Sequence, residues 1–192
     1  MLVYEAGPIT VRELEERDES SLVFWLSNPD VLQYYGGRDH PHDPALVREH
    51  FYVDDEETRC LIEYDGKPIG YIQFYPLDEE GLYHYGYEKA EAGSIAFGMD
   101  QFIGEPIYWN QGIGTKLVSS MVDYLVHHRQ AERIVMDPQT WNERAIACYE
   151  KCGFRKVRML EKHELHEGEL RDCWIIEYRG KRHQSNSSEE PL

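Results

Sequence analysis

At 192 residues, with 41% hydrophobic and 29% charged side chains, the chain has room for one domain with a sizeable core and is too short for two comfortable ones. No run approaches the ~18 apolar residues of a membrane span, and the start, MLVYEAGPITVRELEERDE, has neither the basic head nor the apolar stretch of a secretory signal, so a cytoplasmic protein is expected. Asp and Glu outnumber Lys and Arg by 36 to 20, a formal net charge of −16, which disfavours nucleic acid and anionic membranes as partners and suits a cationic small molecule or plain solubility.

In chain order, Pro8 to Glu15 alternates like a strand, and Asp18 to Tyr35 has helical spacing, with Asp18 as N-cap and Pro29 as an interruption. Gly36 and Gly37 turn the chain, and a helix restarts near Asp43. Thr58 to Tyr64 and Lys67 to Leu77 are joined by Asp65-Gly66, the strongest hairpin signal present. Asp78 to Gly93, acidic and rich in tyrosine, reads as a long functional loop. Ser94 to Gly104 is a strand. Gly112 to His128 then places Leu117, Val118, Met121, Val122 and Leu125 on one face of a helix. Glu132 to Asp137 is a short strand, and Asn142 to Phe154 a helix stopped by Gly153. Strands at Phe154 to Glu161 and Asp172 to Tyr178 flank HELHEGELR. Gly180 to Leu192 has almost no apolar content, which leaves 1–179 as the domain and 180–192 as a polar tail.

A strand, helix, strand order over Ser94 to Asp137 implies a parallel crossover, and the hairpin before it makes the sheet mixed, with flanking helices: an α/β (α+β) fold. Ligands in such sheets sit at the carboxyl ends of the parallel strands, which brings Asp100 to Gly104 and the NQGIGT turn to one site. Unpaired first-turn amides and the helix dipole favour an anion there, and the glycines let its backbone come close. The pair Gly112 and Gly114 alone fits either a phosphate cradle or a tight turn. GxxxxGK[ST] is absent, and GIGTKL ends on Leu117 where GxGxxG needs glycine, so a nucleoside triphosphatase and a dinucleotide dehydrogenase both lose ground. HELHE at His163 to Glu167 is not HExxH, and the four cysteines, Cys60, Cys148, Cys152 and Cys173, contain no CxxC pair. Free thiols and no metal are expected.

WNQGIGT at Trp109 to Thr115, followed by NERAIACYEKCGF from Asn142, resembles the acyl-CoA loop and downstream helix of the GNAT superfamily of N-acetyltransferases. The likeness runs roughly from Ile9 to Arg179 and is closest to the aminoglycoside 6'-N-acetyltransferases, through YYGGRD, GMDQFIGEP, NQGIGT, Asp137-Pro138, RAIACYEKCGF and HELHEG. Trp109 departs from it, standing where that loop usually opens with Gln or Arg.

The resemblance implies one GNAT-like domain whose central twisted sheet splays two parallel strands into an acyl-CoA cleft. It implies acetyl-CoA as co-substrate, bound by Gln101, Phe102, Ile103, Gln111, Gly112, Ile113, Gly114, Thr115, Asn142 and Tyr149. Lys116 is a further charge contact or a solvated helix lysine, and Asn142 contacts pantetheine, caps its helix, or does both. Asp100 matches the carboxylate proposed as base in this group, acting directly or through water, and Tyr149 is the acid for the leaving thiolate. The cationic acceptor is expected to meet Asp100, Asp137, Trp25, Tyr35, Glu79, Glu80, Tyr85 and Glu91. Acetylation of the 6'-amine of an aminoglycoside is the leading activity. A siderophore hydroxylysine or a polyamine is the alternative acceptor, and a non-catalytic acyl-CoA sensor a third reading. The assembly is expected to be a monomer or a homodimer.

Overall fold

Residues 1–88 and 94–180 are described by the computed structural model. The strands are β1 (Leu2–Ala6), β2 (Ile9–Glu13), β3 (Thr58–Tyr64), β4 (Lys67–Leu77), β5 (Ala96–Ile103), β6 (Arg133–Met136), β7 (Arg155–His166) and β8 (Glu169–Arg179). They form one sheet in the order β1-β2-β3-β4-β5-β6-β8-β7, antiparallel except for β5 against β6. Helices α1 (Glu19–Trp25), α2 (Pro29–Leu32), α3 (Pro44–Phe51), α4 (Glu79–His84), α5 (Ile113–His128) and α6 (Glu143–Lys151) complete the fold.

The period-2 pattern of the strands divides the core. Along β3, Cys60 and Ile62 pack with the α5 stripe of Leu117, Met121 and Leu125, while Leu61 faces Leu22, Trp25 and Leu26 of the α1 region. Both faces of the sheet are therefore covered, and each large side chain so buried contributes roughly 1.5–3 kcal/mol. Mixed sheet and flanking helices agree with the expected class.

The functional feature is where pairing stops. β5 stays registered on β4 as far as Ile103 opposite Gly70. Against β6 it pairs only from Ala96 to Gly98, opposite Arg133 to Val135. β6 ends at Met136, two residues before Pro138, which has no amide proton to continue a ladder. The β6-side edge of β5 from Met99 to Ile103 is left open, and the two parallel strands diverge.

Three local readings need correction. β1 precedes the strand expected from Pro8 and turns into it through Gly7 at φ 62°; its exposed, unpatterned LVYEA gave no periodic signal. The segment read as a loop from Asp78 begins with α4, because Asp78 caps the Gly81 amide at 2.8 Å and two glutamates fill the first turn. β7 and β8 are longer than expected and meet at a Glu167-Gly168 turn, both at positive φ, so HELHE is strand and turn. The α6 helix, by contrast, ends as its glycine implied, at Lys151 with Cys152 as C-cap and Gly153 at φ 94° directly after it. The tail from residue 181 and the carboxylate Glu91 lie outside the described residues. No helix among those described is long and apolar enough to cross a membrane.

Candidate active site

Two cavities open where β5 and β6 part. The first, about 470 Å³, runs from Gln101 past the start of α5 to Lys151 of α6. Gly112 sits at φ 76° as the N-cap of α5, with Asn110 also left-handed at φ 58°. No side chain caps this helix, so its first amides are free to meet an anion, helped by the dipole of a 16-residue helix. Gln101, Phe102, Ile103, Gly112, Gly114, Thr115, Asn142 and Tyr149 all line this cavity. Gln111 and Ile113 do not. Gln111 is exposed and its side-chain amide donates to the Ile107 carbonyl. Ile113 is buried because it starts the i, i+4 stripe that continues through Leu117 and Met121, so only its backbone is near the turn.

Trp109 has a structural role. Its Nε1 donates to the Ile103 carbonyl at 2.8 Å, pinning the loop to the end of β5. The Arg144 guanidinium lies 4.6 Å from its ring centre and 4.3 Å from that of Tyr34, a cation seated in the corner that the two nearly perpendicular rings make on the cavity wall.

The second cavity, about 710 Å³, is lined by four carboxylates, Glu57, Asp100, Asp137 and Glu164, and by the aromatic rings of Tyr35, Tyr85 and Trp141, among others. It shares Tyr34, Gln101, Asn142 and Tyr149 with the first. The two spaces thus meet beside Asp100. Three residues expected here lie elsewhere. Trp25 is 1% exposed in the α1 core, its Nε1 donating to Glu105 at 2.9 Å and its ring against Gly104, where a Cβ would come within 2.2 Å. Glu79 and Glu80 are solvated in the first turn of α4 and line neither cavity. Of the neighbouring tyrosines, Tyr83 is exposed, and Tyr87 is buried and donates to Glu177 at 2.8 Å.

Asp100 is the centre of a network that the sheet register builds. Gln73 pairs with Asp100 across β4 and β5, and Tyr75 with Gly98. Gln73 Nε2 donates to Asp100 Oδ2 at 3.0 Å, and the Tyr75 hydroxyl donates to the same oxygen at 3.2 Å. Tyr71 donates to Gln73 Oε1 at 2.6 Å, which fixes that amide's orientation. Because Tyr75 spends its proton on Asp100, Tyr85 donates to Tyr75 in their 2.9 Å contact. Glycine at 98 permits this. A Cβ there would stand 2.2 Å from the Tyr75 ring.

Burial, and then the charge of Asp137, push the Asp100 carboxyl up to about 6, although the bonds from Gln73 and Tyr75 oppose them. An aspartate so placed changes charge close to neutrality, where an ordinary one is a poor base. Asp137 itself accepts from His163 Nε2 at 3.2 Å. Across the junction, Gln101 Nε2 donates to the Tyr149 hydroxyl at 2.6 Å, so the phenol accepts and keeps its own proton to give. Burial raises the Tyr149 phenol and holds it protonated. Gln101 Oε1 is buried without a partner among the described residues, and Asn142 caps α6 through the Ala145 amide at 3.3 Å.

Sequence reasoning missed Glu57, Gln73, Tyr75, His163 and Glu164. The alternation of Tyr71, Gln73 and Tyr75 along one strand face was the available signal for the network.

Known proteins resemble this chain in sequence and in fold. The model of the acetyltransferase (GNAT) domain matches residues 15–162. Aminoglycoside N(6')-acetyltransferase type 1 of Klebsiella pneumoniae is 31% identical over 152 residues, 77% of this chain and 74% of its own. The N-hydroxyputrescine acetyltransferase of Acinetobacter baumannii is 23% identical over 137 residues, 70% of this chain and 61% of its own. The crystal structure of aminoglycoside acetyltransferase AAC(6')-Ib in complex with coenzyme A and kanamycin superposes with a TM-score of 0.69 at 26% identity, covering 89% of this chain and 94% of that one. With the domain match covering most of the chain and a relative above 30% identity, the chain belongs to the GNAT acetyltransferase family.

Proposed function

We propose that the protein transfers an acetyl group from acetyl-CoA to a primary amine of a cationic small molecule, the 6'-amine of an aminoglycoside, in the cytoplasm. The observation that carries this reading is the meeting of the two cavities: an open strand edge and an anion-binding helix terminus on one side, the carboxylates Glu57, Asp137 and Glu164 on the other, with Asp100 and Tyr149 at the junction. The relatives named above support the choice of acceptor.

The residues of the first cavity suit the donor. Free α5 amides at Ile113, Gly114 and Thr115 would take a diphosphate. The unpaired edge of β5 and the orphaned Gln101 Oε1 offer hydrogen bonds to the amide arm of pantetheine. Acetyl-CoA supplies the thioester. The chain's own groups supply the rest.

Asp100 Oδ2 is held by Gln73 and Tyr75, which leaves Oδ1 to bind the acceptor ammonium and take its proton, directly or through water. A carboxyl titrating near 6 is ionised at neutral pH yet basic enough to share a proton with an amine. An edge amide at Gln101 or Phe102 stabilises the carbonyl oxygen as charge develops on it. Tyr149, its oxygen already accepting from Gln101, gives its proton to the departing sulfur. Asp137, Glu57 and Glu164 hold the acceptor's remaining ammonium groups, with Tyr35, Tyr85 and Trp141 as walls.

The test is a thiol-release assay with acetyl-CoA against kanamycin, spermidine, N-hydroxyputrescine and a hydroxylated lysine. Kanamycin is expected to give the highest kcat/KM. A higher value for a linear amine would move the assignment to the second acceptor class, and no release with any amine would remove the catalytic reading.

A further inference from the structure

One largely enclosed titratable group beside the acceptor cavity is unused by that mechanism. His163 lies on β7 behind Asp137, its side chain 11% exposed and its Nε2 3.2 Å from Asp137 Oδ2. The cavity wall is formed by Asp137 and not by His163. The imidazole is boxed in by groups from each neighbouring element. Asp137 faces it from the end of β6. From the end of α4 and the residue that follows it come His84, with its ring 4.9 Å away, and Tyr85 at 6.4 Å. Glu164 is its neighbour on β7 and accepts from the Cys173 thiol of β8 at 3.8 Å.

The two protonation states of His163 do different things to Asp137. A neutral imidazole with its proton on Nε2 donates one hydrogen bond and leaves the carboxylate a full anion. A protonated one turns the pair into a neutral ion pair, and the field that Asp137 projects into the cavity falls. Among the described residues no other hydrogen bond to Asp137 competes. The bond and charge of Asp137 raise the imidazole from its ordinary value, which moves its titration toward neutrality.

We propose that His163 is a positioning residue that sets how much negative charge Asp137 offers to an ammonium group in the cavity, so that a polycation binds more tightly when His163 is neutral. The inference rests on the acceptor reading above. It also couples to Asp100, whose carboxyl is raised in part by the charge of Asp137. Protonating His163 weakens that repulsion and leaves Asp100 a weaker base. Binding and proton transfer thus decline together toward acid pH.

Linkage makes the test quantitative, because proton and polycation must affect each other equally. If protonation of His163 weakens kanamycin binding about tenfold, saturating kanamycin lowers the His163 pKa by about one unit. The measurement is an NMR titration of the histidine ring signals of the full chain, with and without saturating kanamycin, His163 being assigned by its loss in His163→Asn. A fall of about one unit is expected; an unchanged or raised His163 pKa would overturn the proposal. In parallel, calorimetry gives the ratio of kanamycin Kd for the unsubstituted protein to that for His163→Asn, which cancels the antibiotic's own titration. Asparagine keeps a donor but cannot carry charge. The ratio is expected near unity at pH 8 and about tenfold at pH 5.5, and a ratio independent of pH would show a purely structural role. Kanamycin that fails to bind the unsubstituted protein at all would defeat the acceptor reading and this inference with it.

Discussion

Replacing Asp100 by asparagine should remove activity and make the protein more stable. In the unfolded chain this carboxyl ionises near 3.8, whereas in the fold it holds its proton to about 6. The folded state therefore binds the proton more tightly. Stability from this group is present in full below pH 4 and is lost as pH rises through 6, because ionising a buried carboxyl next to Asp137 disfavours the fold. Two units and a little more, at about 1.36 kcal/mol each, give roughly 3 kcal/mol of destabilisation above pH 7. Asparagine carries no charge, and its Oδ1 can accept from both Gln73 and Tyr75, so the hydrogen-bond network survives. For a chain of this length 3 kcal/mol corresponds to about 6–12 °C in Tm. The assay is thermal unfolding of both proteins from pH 4 to pH 8, beside acetyl transfer. The expected result is an inactive Asp100→Asn protein that melts higher at pH 8 and at the same temperature at pH 4. A variant no more stable at pH 8, or stabilised equally at pH 4, would refute the claim that a buried charge is held at a cost for chemistry.

Tyr149→Phe is expected to lower kcat on the order of 100-fold while calorimetry finds CoA affinity unchanged, since a general acid acts on the leaving group and not on ground-state binding. Arg144→Met, which removes the cation from the corner between Tyr34 and Trp109, should weaken CoA binding about tenfold and leave pantetheine binding alone, as loss of a charged contact to phosphate would. Equal loss for both ligands would mean that Arg144 only shapes the loop. Gly98→Ala should cost about 1–3 kcal/mol in urea unfolding, since its Cβ would stand 2.2 Å from the Tyr75 ring. By displacing Tyr75 from Asp100 it should also move the acid limb of the kcat/KM pH profile to higher pH, a hydrogen bond that favours the anion being lost.

The parts of the molecule written in local chemistry were readable from sequence. The hairpin through Asp65-Gly66 has the bounds its turn implied, and the α5 stripe packs as its spacing required. Trp25 was misplaced because it was taken for a cavity wall, although Leu22 and Leu26 mark it as part of an apolar helix face. The polar HELHE run gave no strand signal because it lies at the end of an edge strand and its one apolar residue, Leu165, points to solvent. Glu57, Gln73 and Tyr75 could not be joined to Asp100 from sequence, since only the cross-strand register and the diverging end of β5 bring them together. Trp109 had no explanation without the fold, which supplies the Ile103 carbonyl and the Arg144 cation it serves.

The bond that forms beside Asp100 identifies the reaction. Incubating the protein with acetyl-CoA and kanamycin and locating the new acetyl group by NMR of the purified product tests it directly. A single amide at the 6'-amine, absent when Asp100→Asn replaces the unsubstituted protein, is the predicted result. Acetylation at another amine, or an Asp100→Asn protein that makes product at the unsubstituted rate, would contradict it.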